Sequence, residues 1–147
     1  MYSQRLKSVM KPKKLLTAGP EATVSEAAKA MSKKGVGAVL IVEQKRLVGI
    51  FTERDALVRV IAKGRDPLAT RLSEVMTSDP RTAGPNESFG RALLVMHEHG
   101  FRHVPVVENG EPIGIVSARY ALDPDMEEFV SEAQRRKQFL EESPHKI

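Results

Sequence analysis

The sequence predicts a mixed α/β (α+β) fold with an internal pseudo-twofold: two copies of one unit, each a short sheet with two packed helices. Three observations carry this expectation. Residues 17–56 align without a gap on residues 82–121, a constant offset of 65, and 14 of those 40 positions are identical. Both copies open on one tetrapeptide, Thr17, Ala18, Gly19, Pro20 against Thr82, Ala83, Gly84, Pro85. In each copy an apolar stripe at helical spacing precedes two short apolar runs suited to buried strands. With a one-residue slip the repeat begins earlier, as Arg5, Leu6, Val9, Met10 return as Arg71, Leu72, Val75, Met76. The period is longer than that of the common solenoids, so two half-modules facing each other are expected rather than an array. A cleft along such a twofold is a natural place for a ligand, and function is to be sought where the copies differ.

The elements follow in chain order. Thr23 with Glu26 forms a capping box, Val24, Ala27, Ala28 and Met31 make the stripe, and Gly35 stops the helix. In copy two Ser88 caps, Phe89, Ala92, Leu93 and Met96 make the stripe, and Gly100 ends it. The runs Ala38–Val42 with Leu47–Phe51, and His103–Val107 with Pro112–Val116, read as hairpins; Asn109-Gly110 is the strongest turn signal among them. A second helix is expected over about 53–63, its apolar face Ala56, Leu57, Val60 and Ile61, with Gly64 beyond its end. Outside the repeat, 126–142 is helical by pattern, with Met126, Phe129, Val130 and Ala133 on one face. That helix either docks a second subunit or covers its own domain.

Bulk properties exclude several classes. A chain of 147 residues, 41% apolar and 29% charged, has the composition of a water-soluble domain. No apolar run approaches the ~20 residues of a membrane span, and the basic start lacks an apolar signal core, so a cytoplasmic protein without membrane partners is expected. Without cysteine there is no disulfide, thiolate metal site or cysteine nucleophile. The net charge of +4 invites a nucleic-acid reading, but the cations are spread along the chain and no aromatic residues interleave with them. A solvated basic surface is the simpler account. Gly35 and Gly37 lack the third glycine of a dinucleotide fingerprint and follow a helix, while His97 and His99 stand two apart and so point to different faces. No metal and no catalysis are expected.

Gly49, Ile50, Phe51, Thr52, Glu53, Arg54, Asp55 resemble the glycine, apolar pair, Thr/Ser, x, x, Asp signature of the CBS domain. Arg102, His103, Val104, Pro105, Val106, Val107 are similar to that family's strand before its hairpin, and the Arg-Leu-x-x-Val-Met openings fit as well. The resemblance spans about residues 5–121 and implies a stand-alone Bateman module: CBS motif 1 at 5–66, CBS motif 2 at 67–122 and a helical extension at 123–147. It further implies a homodimer that senses an adenine nucleotide or adenosyl ligand (AMP, ATP or NAD) and signals to a protein effector. An empty dimerisation scaffold is the alternative, and a basic nucleic-acid-binding protein the third reading.

The resemblance also implies a site. Thr52 and Asp55 lie at a strand-to-helix junction, where a carboxylate can accept hydrogen bonds from a ribose diol and a hydroxyl can reach phosphate. The same pair also fits a helix cap that needs no ligand. Arg102, His103 and Arg119 are the candidates for phosphate, with Val104, Pro105 and Ser117 beside them and Thr17 at the opening of copy one. Gly37 and Ala38 leave room for an adenine ring against the backbone, with Val39 and Ile50 as apolar walls. In copy two Tyr120 replaces the aspartate, and Gly37 and Ala38 stand where copy two has Arg102 and His103. One competent site per chain is therefore expected.

Overall fold

The computed structural model describes residues 2–121 and 131–136. The chain opens with helix α1 (Leu6–Val9), a 3₁₀ turn (Pro12–Lys14) and strand β1 (Thr17–Ala18), followed by α2 (Val24–Lys34), β2 (Ala38–Glu43) and β3 (Arg46–Thr52). A short α3 (Glu53–Asp55) runs into a π-helix (Ala56–Ile61). Then come α4 (Leu72–Val75), β4 (Thr77–Ser78), α5 (Phe89–His99), β5 (His103–Glu108), β6 (Glu111–Ser117) and a 3₁₀ turn (Ala118–Ala121). Of the expected C-terminal helix, 131–136 is helical and exposed, and the rest of 126–142 lies outside the described residues.

Both long helices form as their caps dictate. Thr23 Oγ1 accepts from the Glu26 amide at 3.1 Å and Glu26 Oε2 accepts from the Thr23 amide at 3.2 Å, while Ser88 Oγ accepts from the Arg91 amide. Gly35 and Gly100 end the helices in the left-handed region, φ 71° and 73°. Val24, Ala27 and Met31 are buried on α2, and Phe89, Ala92 and Met96 on α5. Ala28, expected in the first stripe, is exposed.

The first hairpin belongs to a four-stranded sheet in the order β1-β2-β3-β4; the second stands as the pair β5-β6. β1 runs parallel to β2 and the remaining pairings are antiparallel. Alternation along β2 sends Val39 and Ile41 to the helix side, into a core with Val24, Ala27, Met31, Phe51 and Val60. Ala38 and Leu40 face the other way and meet Ile50 and Ile115, so this third apolar cluster joins the two repeats.

The opening helices are exchanged. Leu6, Val9 and Met10 pack in the core of the second repeat with Phe89 and Val106, whereas Leu72, Val75 and Met76 pack in the core of the first. Backbone bonds fix the exchange symmetrically: the Leu6 amide donates to Glu87 O and Lys7 to Pro85 O, and Leu72 donates to Ala22 O and Ser73 to Pro20 O. Each exchanged segment ends on a methionine whose sulfur fills the place of a side chain on a strand glycine, Met76 at Gly49 and Met10 at Gly114. Glycine there allows close approach.

The second helix of copy one corrects the expectation of a regular α-helix over 53–63. After one α-turn it widens, and the Ala62 amide bonds to Leu57 O and the Arg65 amide to Val60 O, five residues back. The wider winding departs from the 3.6-residue period on which the expected apolar face rests. Only Val60 of the expected apolar face is buried; Leu57 and Ile61 are 59% and 69% exposed, beside Val58 at 48%.

Candidate functional site

Strand β3 delivers Thr52 to the start of α3, and there Thr52 and Asp55 bond each other. Asp55 Oδ2 accepts from the Thr52 amide at 2.9 Å and lies 3.1 Å from the Thr52 hydroxyl, while the Asp55 amide donates to Thr52 Oγ1 at 3.2 Å. This is the cap that the sequence left as an alternative. Asp55 Oδ1 also faces the Arg59 guanidinium at 3.5 Å, and Arg59 in turn donates to the carbonyls of Val75 and Met76. A carboxylate has about four lone-pair positions. Oδ2 is committed to Thr52, so the remaining acceptor capacity resides in Oδ1, which also faces Arg59.

The second repeat meets this junction across the twofold. Register places Ala38 opposite Thr52 and, equivalently, His103 opposite Ser117. The Glu53 amide donates to Gly37 O at 3.0 Å, and its counterpart, the Ala118 amide, donates to Arg102 O at 2.9 Å. A methyl group placed on Gly37 would lie 2.8 Å from Glu53 Oε1 and 3.6 Å from His103 Nε2, so groups of both repeats converge over Gly37. Arg54 completes the crossing by donating to Gly100 O at 3.1 Å.

His103 is the electrostatic centre of this group. Burial pushes its imidazole below the ordinary histidine range; Glu53 pulls the other way, and Arg119 and Arg102 add to the depression. At neutral pH it is therefore an uncharged imidazole that feels the charges of one carboxylate and two exposed guanidiniums.

The remaining candidates divide by face. Ala38 and Ile50 lie at the junction between the repeats, buried against Leu40 and Ile115. Val39 does not. It is 1% exposed and points into the helix-covered core, and Val104 points likewise into the core of the second repeat, because alternation puts neighbours of a strand on opposite faces. The expectation of Val39 as a cleft wall is corrected accordingly. Pro105 is fully buried and its carbonyl accepts from the Ala83 amide. Thr17 is exposed and pairs with Leu40. Tyr120, at the aspartate's position in copy two, lies under the Lys11 ammonium at 5.0 Å. Sequence reasoning missed Glu53 and Arg59 as members of the group. The four-residue spacing of Asp55 and Arg59 on a helix was the available signal for the latter.

The pattern of the CBS domain family matches residues 6–62 and 72–124. The chain belongs to this family, and its two domains make it a CBS pair, a regulatory module. It is 40% identical over 101 residues to the CBS domain-containing protein YhcV of Bacillus subtilis, covering 69% of this chain and 71% of that one. Among solved structures, an uncharacterized conserved protein from Pyrococcus horikoshii superposes with a TM-score of 0.77 at 30% identity, over 85% of this chain and 94% of the other. The CBS domain protein PAE2072 from Pyrobaculum aerophilum, solved complexed with AMP, superposes with a TM-score of 0.73 at 30% identity, over 80% and 89%. Among the described residues no helix is long and apolar enough to cross a membrane, and no group of three His, Asp or Glu gathers as for a metal.

Proposed function

We propose that this chain is a sensor of an adenine nucleotide of the AMP, ATP or NAD class. The nucleotide binds between the repeats at the Thr52–Asp55 junction and shifts the conformation or assembly of the module. One observation carries the reading: groups of both copies, Glu53 and His103, converge over Gly37 beside the Thr52–Asp55 junction, and the charges of Arg119 and Arg102 act on His103. The AMP complex of the similar PAE2072 supports the same class of ligand. Arginine suits the phosphate because its planar fork donates two parallel charge-assisted bonds. A ligand shifts the module only by binding one arrangement better than another, and groups drawn from both repeats feel any change between them.

Thermal melting with AMP, ATP, NAD and S-adenosylmethionine in turn tests it. A ligand at ~100 times its dissociation constant adds about 2.7 kcal/mol, on the order of 5–10 °C for a chain of this size. No rise with any of the four defeats the reading. The assembly that responds is a homodimer in this proposal, and Leu57, Val58 and Ile61, exposed together on the π-helix, are the surface offered to the second copy. Light scattering should then give twice the chain mass, and Ile61→Asp should halve it.

A further inference from the structure

We propose that Glu53 is a specificity-determining residue of this site, an internal anion that shares the space over Gly37 with His103 and must be displaced by the ligand's own negative charge. The inference rests on the nucleotide reading above. Its ground is the placement of the Glu53 carboxylate: Oε1 comes within 2.8 Å, and the carboxyl carbon within 3.2 Å, of the place where a side chain on Gly37 would begin, and His103 Nε2 reaches to 3.6 Å of that same point. Gly37 leaves the space open, and Glu53 fills it from one repeat while His103 closes it from the other. The charged and titratable groups that act on the imidazole are Glu53, Arg119 and Arg102, and Glu53 alone among them is negative.

The two repeats differ at these positions in a complementary way. Where copy one pairs Gly37 with Glu53, copy two pairs Arg102 with Ala118, and the two backbones are bonded identically. The carboxylate therefore stands on copy one, and the cations whose charge acts on His103 stand on copy two. Its side chain is exposed and takes no part in the Thr52–Asp55 cap, so it can swing out to water without unmaking the helix start. A neutral nucleoside has no charge with which to displace it. A monophosphate does, and each further phosphate adds repulsion against the carboxylate that has been pushed aside. Glu53 thus sets how much negative charge the site accepts.

The experiment is calorimetric titration of adenosine, AMP and ATP into the wild-type chain and Glu53→Gln, together with an NMR titration of His103 in both proteins without ligand. In Glu53→Gln, AMP should bind about threefold to fivefold tighter, the upper end of what one exposed charge pair contributes, ATP should gain more than AMP, and adenosine should stay within about twofold. The His103 midpoint should fall in the variant, because a negative neighbour that favours the imidazolium has gone. AMP binding equally to both proteins overturns the role of Glu53 and leaves the nucleotide site standing. An unmoved His103 midpoint overturns it without reference to any ligand. Failure of both proteins to bind any of the three defeats the nucleotide reading and this inference with it.

Discussion

The two repeats share a chain trace, yet only the first completes a four-stranded sheet, and two prolines account for the difference. β4 pairs with β3 through Thr77 and Ser78; after the one-residue slip, the matching residues beside the second hairpin are Lys11 and Pro12. Proline has no amide to donate and its fixed φ suits a turn, so the segment winds into the 3₁₀ turn Pro12–Lys14 instead of an edge strand. On the other side, the Leu40 amide donates to Leu16 O, but its counterpart is Pro105. The parallel pairing of β1 with β2 is thereby reduced in copy two to the single bridge of Ala83 with Val106. A duplicated fold tolerates unequal ladders because its cores are held by side chains, and those are matched.

The largest expected effect tests that claim through the exchanged helices. Leu6 and Leu72 are both fully buried, each in the core of the repeat to which it does not belong by sequence. Leu6→Ala and Leu72→Ala should each cost about 2–5 kcal/mol in urea unfolding. Hydrogen exchange should separate them: Leu6→Ala should speed exchange of the β5–β6 amides first, and Leu72→Ala those of β2–β3. The reverse pattern would mean that each helix supports its own repeat.

A second contrast lies at the two strand-to-helix junctions. In copy one Asp55 closes a cap with Thr52; in copy two Tyr120 occupies that position and sits under Lys11. Asp55→Ala should therefore lower stability by about 1 kcal/mol without any ligand, the usual worth of a capping side chain. It should also abolish the melting shift given by the true ligand. Asp55→Asn keeps an acceptor for the cap and should recover most of the stability while the ligand shift stays lost. Recovery of both would make Asp55 a cap alone.

The repeat, the caps and the hairpins were legible in the sequence because each rests on local chemistry: Thr23 with Glu26, glycine at the end of each helix, and Asn109-Gly110 at a turn. The exchange of Leu6 and Leu72 between cores was not, since a periodic stripe states that a side chain is buried and is silent about which partner buries it. The π-helix escaped for a related reason. Leu57, Val60 and Ile61 fit the helical period, and only the wider turn shows that Val60 alone goes inward. At the site, the pairing of Thr52 with Asp55 could be read as a cap. The placement of Glu53 could not, because it shares the space over Gly37 with His103 of the other repeat, a proximity that no spacing within one repeat encodes.

His103 has no titratable counterpart, since copy one holds Ala38 at that position, and this makes the pH dependence of the repeats unequal. Its folded-state pKa is lowered, first by burial, so the unfolded chain binds the proton more readily. Stability should accordingly fall as pH drops below about 6.5, the unfolded value, and the loss should level off once the pH is below the folded value. His103→Gln should flatten that part of the curve in melts between pH 7.5 and 5. A curve unchanged by the substitution would assign the dependence to other groups.

The smallest expected effect concerns the two hairpin turns, which have the same left-handed backbone and different residues. Asn109 and Gly110 hold φ of 55° and 81°, and Gln44 and Lys45 hold 51° and 64°. Left-handed backbone costs a residue with a side chain about 1–2 kcal/mol, whereas glycine gives up about 0.5–1 kcal/mol of chain entropy on folding. Gln44→Asn with Lys45→Gly should therefore stabilise by only about 0.5 kcal/mol, seen as a small rise in the melting midpoint. The reverse transplant, Asn109→Gln with Gly110→Lys, should lose more than the first gains. A side chain on Gly110 would begin 3.0 Å from the Arg46 guanidinium, and the Gly110 carbonyl accepts from the Leu47 amide of the other repeat. The second turn is thus part of the contact between repeats, while the first is only a turn; equal and opposite shifts would show that neither contact matters.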